Sequence, residues 1–316
     1  MKKLVLGPKI GRWIHRERRA SDLSVVSDPP MATFVEIRDG VRLETRRYGD
    51  PTSSRALVVW GHGLCNSMAG EDEDMLWNFW HDDGAVAMDA HVVRYSARGH
   101  GESSPSTAPE DCTWDTLGGD MLALARACRR DASQRLVLGG ASMGAASAIH
   151  AAVRVARERE RSGSSPETIA GLVLVIVPTF HETRRRRRSQ ILAAAERGFG
   201  AFLKSKKPRP IFKGTDREDE PPRLVGVRED SFEHVMAASA DSDLPPPDVI
   251  ANALRDVPIL ALCWDCGDRT HPASSAAAIE TQLAPHADVR VAETLEETRG
   301  WSEAVRAFVS GLGAGE

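Results

Sequence analysis

The chain has 316 residues, 41 Lys and Arg against 45 Asp and Glu, a net charge of -4, and 41% hydrophobic residues. That length holds one large α/β domain or two small ones, and that charge argues against a global field recruiting nucleic acid. The five cysteines, Cys65, Cys112, Cys128, Cys263 and Cys266, are odd in number and scattered, which argues against a disulfide framework and for a reducing, cytoplasmic compartment.

Residues 1–31 carry a cluster of basic side chains around a short apolar piece broken by Gly7 and Pro8, so a disordered basic tail is expected rather than a secretory signal or an organelle transit peptide. Residues 33–37 and 41–48 alternate apolar and polar about Asp39-Gly40, a hairpin signal. Residues 56–60 form a continuous apolar run, as for a strand covered on both faces, and lead into Gly61-His62-Gly63-Leu64. A helix is expected around Met75, Leu76, Phe79 and Trp80. Another short strand, 92–95, leads to Ser96-Ala97-Arg98-Gly99-His100-Gly101-Glu102-Ser103. Trp114, Leu117, Met121, Leu124 and Cys128 then recur at helical spacing, although Gly118 and Gly119 each weaken that helix by about 1 kcal/mol relative to alanine.

The apolar run at 136–138 suits a buried strand, and the small residues after Ser142 read as helix. Between them stands Gly140-Ala141-Ser142-Met143-Gly144, the G-x-S-x-G pattern that places a serine on a strained strand-to-helix turn with its hydroxyl exposed. Side chains at the flanking glycines would clash where the two backbones nearly touch. Ser142 is therefore the candidate nucleophile.

The helix after Ser142 ends near Gly163, and residues 169–177 give a strongly apolar strand. The longest apolar run, 169–180, contains Pro178 and falls short of the roughly 20 residues of a membrane span. The pattern breaks from residue 181 to 255, where residues 191–203 look helical, and then resumes with strands at 259–264 and 288–292 and helices at 273–283 and 301–309. Strands alternating with helices predict an α/β fold, a mostly parallel sheet with helices on both faces. The core would comprise residues 32–180 and 256–316, with 181–255 inserted as a cap over the strand ends, where ligands bind in such sheets. Within the insertion, the run Arg184 to Arg188 reads as a solvated helix face paired with nearby acids. Attraction of an anionic small-molecule substrate is the rival reading.

Four stretches together resemble the α/β-hydrolase superfamily over nearly all of residues 32–312: Gly61 to Leu64, Arg98 to Ser103, Gly140 to Gly144, and Asp265-Cys266-Gly267-Asp268-Arg269-Thr270-His271-Pro272. The first and second match the loops after the third and fourth strands of that superfamily, the third matches its nucleophile elbow, and the last follows the penultimate strand, where it places its acid. Gly140 to Gly144, Pro178 to Arg184 and Asp268 to Pro272 are similar to an uncharacterised branch of bacterial α/β-fold hydrolases.

The resemblance implies that Ser142 attacks a carbonyl while the N–H groups of Met143 and Leu64 form the oxyanion hole. Asp268 would hold the general base in its tautomer, with Asp265 as the competing acid. The superfamily's histidine after the last strand has no counterpart in residues 293–299. His271 is the best substitute, with packing or capping of the following helix as its alternative role, and His181 is the second candidate. His62 and His100 are expected to serve their loops through backbone hydrogen bonds, His150 to lie too far along its helix, and His286 to point from the far end of the sheet. The chain then reads as a serine hydrolase cleaving an ester, thioester or lactone through an acyl-serine, with no cofactor and no metal; Cys263 and Cys266 lack the partners for a metal or redox site. The alternative is a degenerate hydrolase that binds a ligand or partner without turnover. A cofactor-dependent or metal enzyme ranks third, because no metal-ligand spacing or phosphate loop is present.

Overall fold

The computed structural model describes residues 29–38, 40–74, 76, 79–81, 84–163, 167–205, 209–215, 217–218 and 226–312. The expected basic tail thus lies outside the described residues but for its last three. The hairpin signal becomes β1 (Thr33–Arg38) and β2 (Val41–Tyr48), paired antiparallel. β3 (Ala56–Gly61) is buried along its whole length. After it come α1 (Met68–Asp74), α2 (Gly84–Ala87) and β4 (Ala90–Tyr95).

Of the segment expected to be helical around Met75 to Trp80, Met75, Trp77 and Asn78 lie outside the described residues, α1 ends at Asp74, and Leu76, Phe79 and Trp80 are not helical. Phe79 and Trp80 pack their rings on Trp60, with centroids 5.6 and 4.9 Å away, and at these residues burial of large aromatic surface outweighs the hydrogen bonds of a short helix.

α3 (Trp114–Cys128), β5 (Arg135–Ala141), α4 (Met143–Ser162) and β6 (Ile169–Val175) follow the expected order. The helix expected at 191–203 is two helices, α5 (His181–Glu196) and α6 (Phe199–Ser205), broken at Gly198 with φ +80°. The arginine run, whose residues have high helix propensity, carries α5 back to His181. Then come α7 (Phe232–Asp241), α8 (Pro247–Leu254) and β7 (Ile259–Trp264). α9 (Ala273–Ala278) passes into a π-turn over Ile279–Leu283, so the helix expected at 273–283 changes pitch midway. β8 (Asp288–Ala292) and α10 (Trp301–Gly311) end the described chain.

The eight strands lie in the order β1-β2-β4-β3-β5-β6-β7-β8, antiparallel at β1, β2 and β4 and parallel from there on. One sheet face is covered by α3, α4 and α8 and the other by α2 and α10, each over a continuous apolar cluster. A third cluster, with Cys65, Phe232, Val235 and Met236, lies beneath α5, α6 and α7. Between β6 and β7, α5 to α7 therefore share a small core of their own, whereas Ile250 and Leu254 of α8 join the core under α4. Among the described residues, no helix is long and apolar enough to cross a membrane.

Candidate active site

The parallel strands β3, β5, β6 and β7 end together, and the loops leaving those ends converge on Ser142. Its backbone has φ 52° and ψ -108°, a conformation that a side-chain-bearing residue adopts only under constraint. The constraint is visible at the glycines. A Cβ on Gly144 would lie 2.0 Å from the Gly61 carbonyl oxygen, and one on Gly140 would lie 2.4 Å from the same atom. The turn is tight because β3 and α4 press on it from both sides.

His271 meets the serine. Its Nε2 lies 2.8 Å from Ser142 Oγ, and its Nδ1 lies 2.7 Å from Asp268 Oδ2. A carboxylate only accepts, so Nδ1 carries the proton and Nε2 is left to accept from the serine hydroxyl. Asp268 and His271 are three residues apart in one turn, closed by the His271 N–H donating to the Asp268 carbonyl at 3.2 Å. The other carboxylate oxygen, Oδ1, accepts from the backbone N–H of Thr270 at 2.8 Å and from its hydroxyl. This Asx-type turn aims the carboxylate back along the chain. Burial opposes the charge on Asp268, but the hydrogen bonds from His271 and Thr270 outweigh it and hold the carboxyl below its usual range. Asp265 is exposed, and its backbone joins β8 at Ala292.

The other histidines are occupied elsewhere. His62 donates from Nδ1 to the Gly63 carbonyl at 2.8 Å and accepts at Nε2 from the Ala97 N–H at 2.9 Å. His100 donates from Nδ1 to the Arg98 carbonyl at 3.0 Å and accepts at Nε2 from the Cys65 N–H at 3.3 Å. Each ring therefore bolts one strand-end loop to the next, and His100 holds the backbone at Cys65, next to Leu64. Burial keeps both rings neutral, pushing His100 down to about 4 and His62 well below its ordinary value. His150 reaches the Asp243 carbonyl, His286 the Val257 carbonyl, and His181 lies 3.8 Å from the Asp243 carboxylate.

Leu64 and Met143 both line the cavity over Ser142, and their backbone N–H groups donate no hydrogen bond among the described residues. Met143 opens α4, so its N–H adds the partial positive charge of a helix N-terminus. The cavity measures about 320 Å³, at the small end of ligand pockets. Its far wall comes from the stretch between β6 and β7, including Phe202, Arg209 and Met236. Burial lowers the Arg209 pKa, while the charges of Glu71 and Asp268 raise it.

Two contributors went unread in the sequence. Thr270 supports Asp268, and the Asp-x-Thr spacing of an Asx turn was its signal. Arg184 turns into the cavity while its neighbours Arg186 and Arg188 pair with Glu182 and Asp241. One arginine in a run of five carries no sequence mark that separates it from the rest.

The sequence model of the alpha/beta hydrolase family matches residues 56–300. No curated protein matches the chain. Among solved structures, a hydrolase from Pseudomonas aeruginosa PA01 superposes with TM-score 0.63 at 20% identity, covering 88% of this chain and 98% of that one. A thermophilic esterase from Thermogutta terrifontis gives TM-score 0.64 at 19% identity over 89% and 99% of the two chains. A bromoperoxidase from Bacillus anthracis gives 0.63 at 19% identity over 88% and 99%. At such identities the likeness concerns the fold, and one fold serves these differently named proteins.

Proposed function

Because the chain belongs to the alpha/beta hydrolase family, we propose that it is a serine hydrolase that cleaves an ester, thioester or lactone through an acyl-Ser142 intermediate. The observation that carries this reading is the unbroken hydrogen-bond chain Ser142 Oγ, His271 Nε2, His271 Nδ1, Asp268 Oδ2. Without a base a serine hydroxyl is a poor nucleophile; with a neutral imidazole accepting its proton it is a competent one.

Ser142 Oγ attacks the substrate carbonyl as His271 Nε2 takes the hydroxyl proton. The carbonyl oxygen becomes an oxyanion and accepts from the N–H groups of Leu64 and Met143, each such donor lowering the barrier by about 3 kcal/mol. Asp268 stabilises the imidazolium without taking the proton. Collapse breaks the bond to the leaving alcohol or thiol, which receives the proton from His271. Water then attacks the acyl-serine, gives its proton to His271, and the second tetrahedral species releases the acid and restores Ser142. In this reading α5 to α7 act as the cap, because they close the cavity opposite the serine and so limit which substrates fit.

A fluorophosphonate probe tests the mechanism directly. The native chain is expected to label at one serine, Ser142→Ala to lose the label, and His271→Ala to label at least 100-fold more slowly. A folded native chain that takes no label would sink the hydrolase reading and leave a ligand-binding protein. Undiminished labelling of His271→Ala would remove His271 as the base.

A further inference from the structure

Three arginines are buried among the described residues: Arg94, Arg98 and Arg184. Two of them have carboxylate partners. Arg94 pairs with Glu71 at 3.2 Å and with Asp72, and Arg98 pairs with Asp111 at 2.9 Å and Asp120 at 2.8 Å. Arg184 has no carboxylate within ion-pair distance among the described residues. Its partners are neutral: Nη2 donates to the carbonyl and hydroxyl of Ser239, and Nε donates to the Ser242 carbonyl at 3.4 Å. The guanidinium carbon stacks 4.4 Å from the centre of the Trp114 ring, a contact that favours a cation but does not neutralise it. Burial pushes its pKa down to about 10, so it remains charged at neutral pH.

A buried charge without a counterion is costly, and buried charges are as a rule paired. Nη1 is the nitrogen left over: it donates no hydrogen bond among the described residues, and it belongs to a side chain lining the same cavity as Ser142 and His271. Asp243, the acid whose charge acts most on Arg184, is engaged by the backbone N–H groups of His181 at 2.6 Å and Leu244 at 2.8 Å.

We propose that Arg184 is the specificity-determining residue of this cavity and that the substrate is an ester bearing a carboxylate, which takes the place of the missing counterion on Nη1. This rests on the hydrolase reading for the word ester, but the anion subsite itself does not. Trp114 holds the guanidinium plane from one side while the Ser239 and Ser242 oxygens hold its orientation, so the anion finds a donor already in position. Arg186 and Arg188, on the same helix, are spent on surface acids and contribute nothing to it.

The test compares kcat/KM for two matched pairs: mono-4-nitrophenyl succinate against 4-nitrophenyl pentanoate, and 4-acetoxybenzoate against its methyl ester. The pairs place the carboxylate on the acyl or on the leaving side. At least one anionic ester is expected to be preferred by about 10- to 100-fold, the range for a charge-assisted hydrogen bond. That ratio should collapse towards unity in Arg184→Met and survive in part in Arg184→Lys. Turnover of the neutral esters with no anionic preference overturns the proposal, as does a preference that persists in Arg184→Met. Should Arg184→Met not fold, the native ratios and Arg184→Lys decide. If the native chain takes no fluorophosphonate label, the hydrolase reading has failed separately, and thermal shift by glutarate against glutaramide decides the anion site. A shift with glutarate alone supports it, and equal shifts overturn it.

Discussion

At the scale of single residues, the candidate site is organised by a turn of four. Asp268 and His271 sit at its two ends, and Thr270 fills the remaining acceptor of the carboxylate, so acid and base are aligned by local backbone geometry. Replacing Asp268 with Asn should keep the turn while letting the amide stabilise the wrong tautomer of His271. We expect kcat for an activated ester to fall on the order of 10⁴-fold with the melting temperature little changed; an Asn variant within 10-fold of native would mean that Asp268 does not orient the base. Ser142 and its flanking glycines were legible because their pattern is contiguous. The pairing of Ser142 with His271 spans 129 positions, and it was legible only as a choice among histidines, since no spacing rule links loops that meet in space.

At the scale of elements, packing overrode propensity in several places. Gly118 and Gly119 look equally unfavourable in α3, yet they differ in what surrounds them. A Cβ on Gly118 would lie 2.8 Å from both the His150 Cβ and the Ser147 carbonyl oxygen of α4, whereas one on Gly119 meets nothing closer than 3.6 Å, at the end of the Arg154 side chain. Gly118→Ala should therefore destabilise by about 1–3 kcal/mol as α3 and α4 are forced apart, and Gly119→Ala should stabilise by up to about 1 kcal/mol. Urea unfolding of the two variants checks this, and shifts of the same sign would contradict the packing account. The same override explains Phe79 and Trp80, drawn into a cluster with Trp60 rather than a helix. The break at Gly198 was unread because a glycine near the end of a polar helix is a weak signal until its φ of +80° is seen.

At the scale of the whole molecule, burial sets the response to acid. His91 and His100 are pushed down to about 4 by burial, and His62 lies well below its ordinary 6.5 for the same reason. Below about pH 6.5 the unfolded chain binds protons on these rings that the folded chain does not, so stability falls as pH drops from there towards 4. His91 and His100 should each cost about 2 kcal/mol by pH 5, and His62 acts in the same direction. His91 lies on β4, and neither of its buried ring nitrogens has a hydrogen-bond partner among the described residues. His91→Leu should therefore lose less stability between pH 7 and pH 5 than the native chain does. Equal losses in denaturant titrations at the two pH values would refute that assignment.

The sequence by itself determined the order of the strands and of most helices, the hairpin that starts the sheet, and the strained turn that carries Ser142. These depend on hydrophobic period, turn chemistry and steric rules acting over a few neighbouring residues. Only the tertiary structure decided which histidine meets Ser142, that Gly61 is the surface against which Gly140 and Gly144 must be bare, and that Arg184 alone of its run faces the cavity. Those outcomes depend on how loops from separate strands converge and on how α5 is rolled against Trp114 and Ser239. Contacts between distant segments are set by the summed packing of the whole sheet, and no local stretch of chain carries that information.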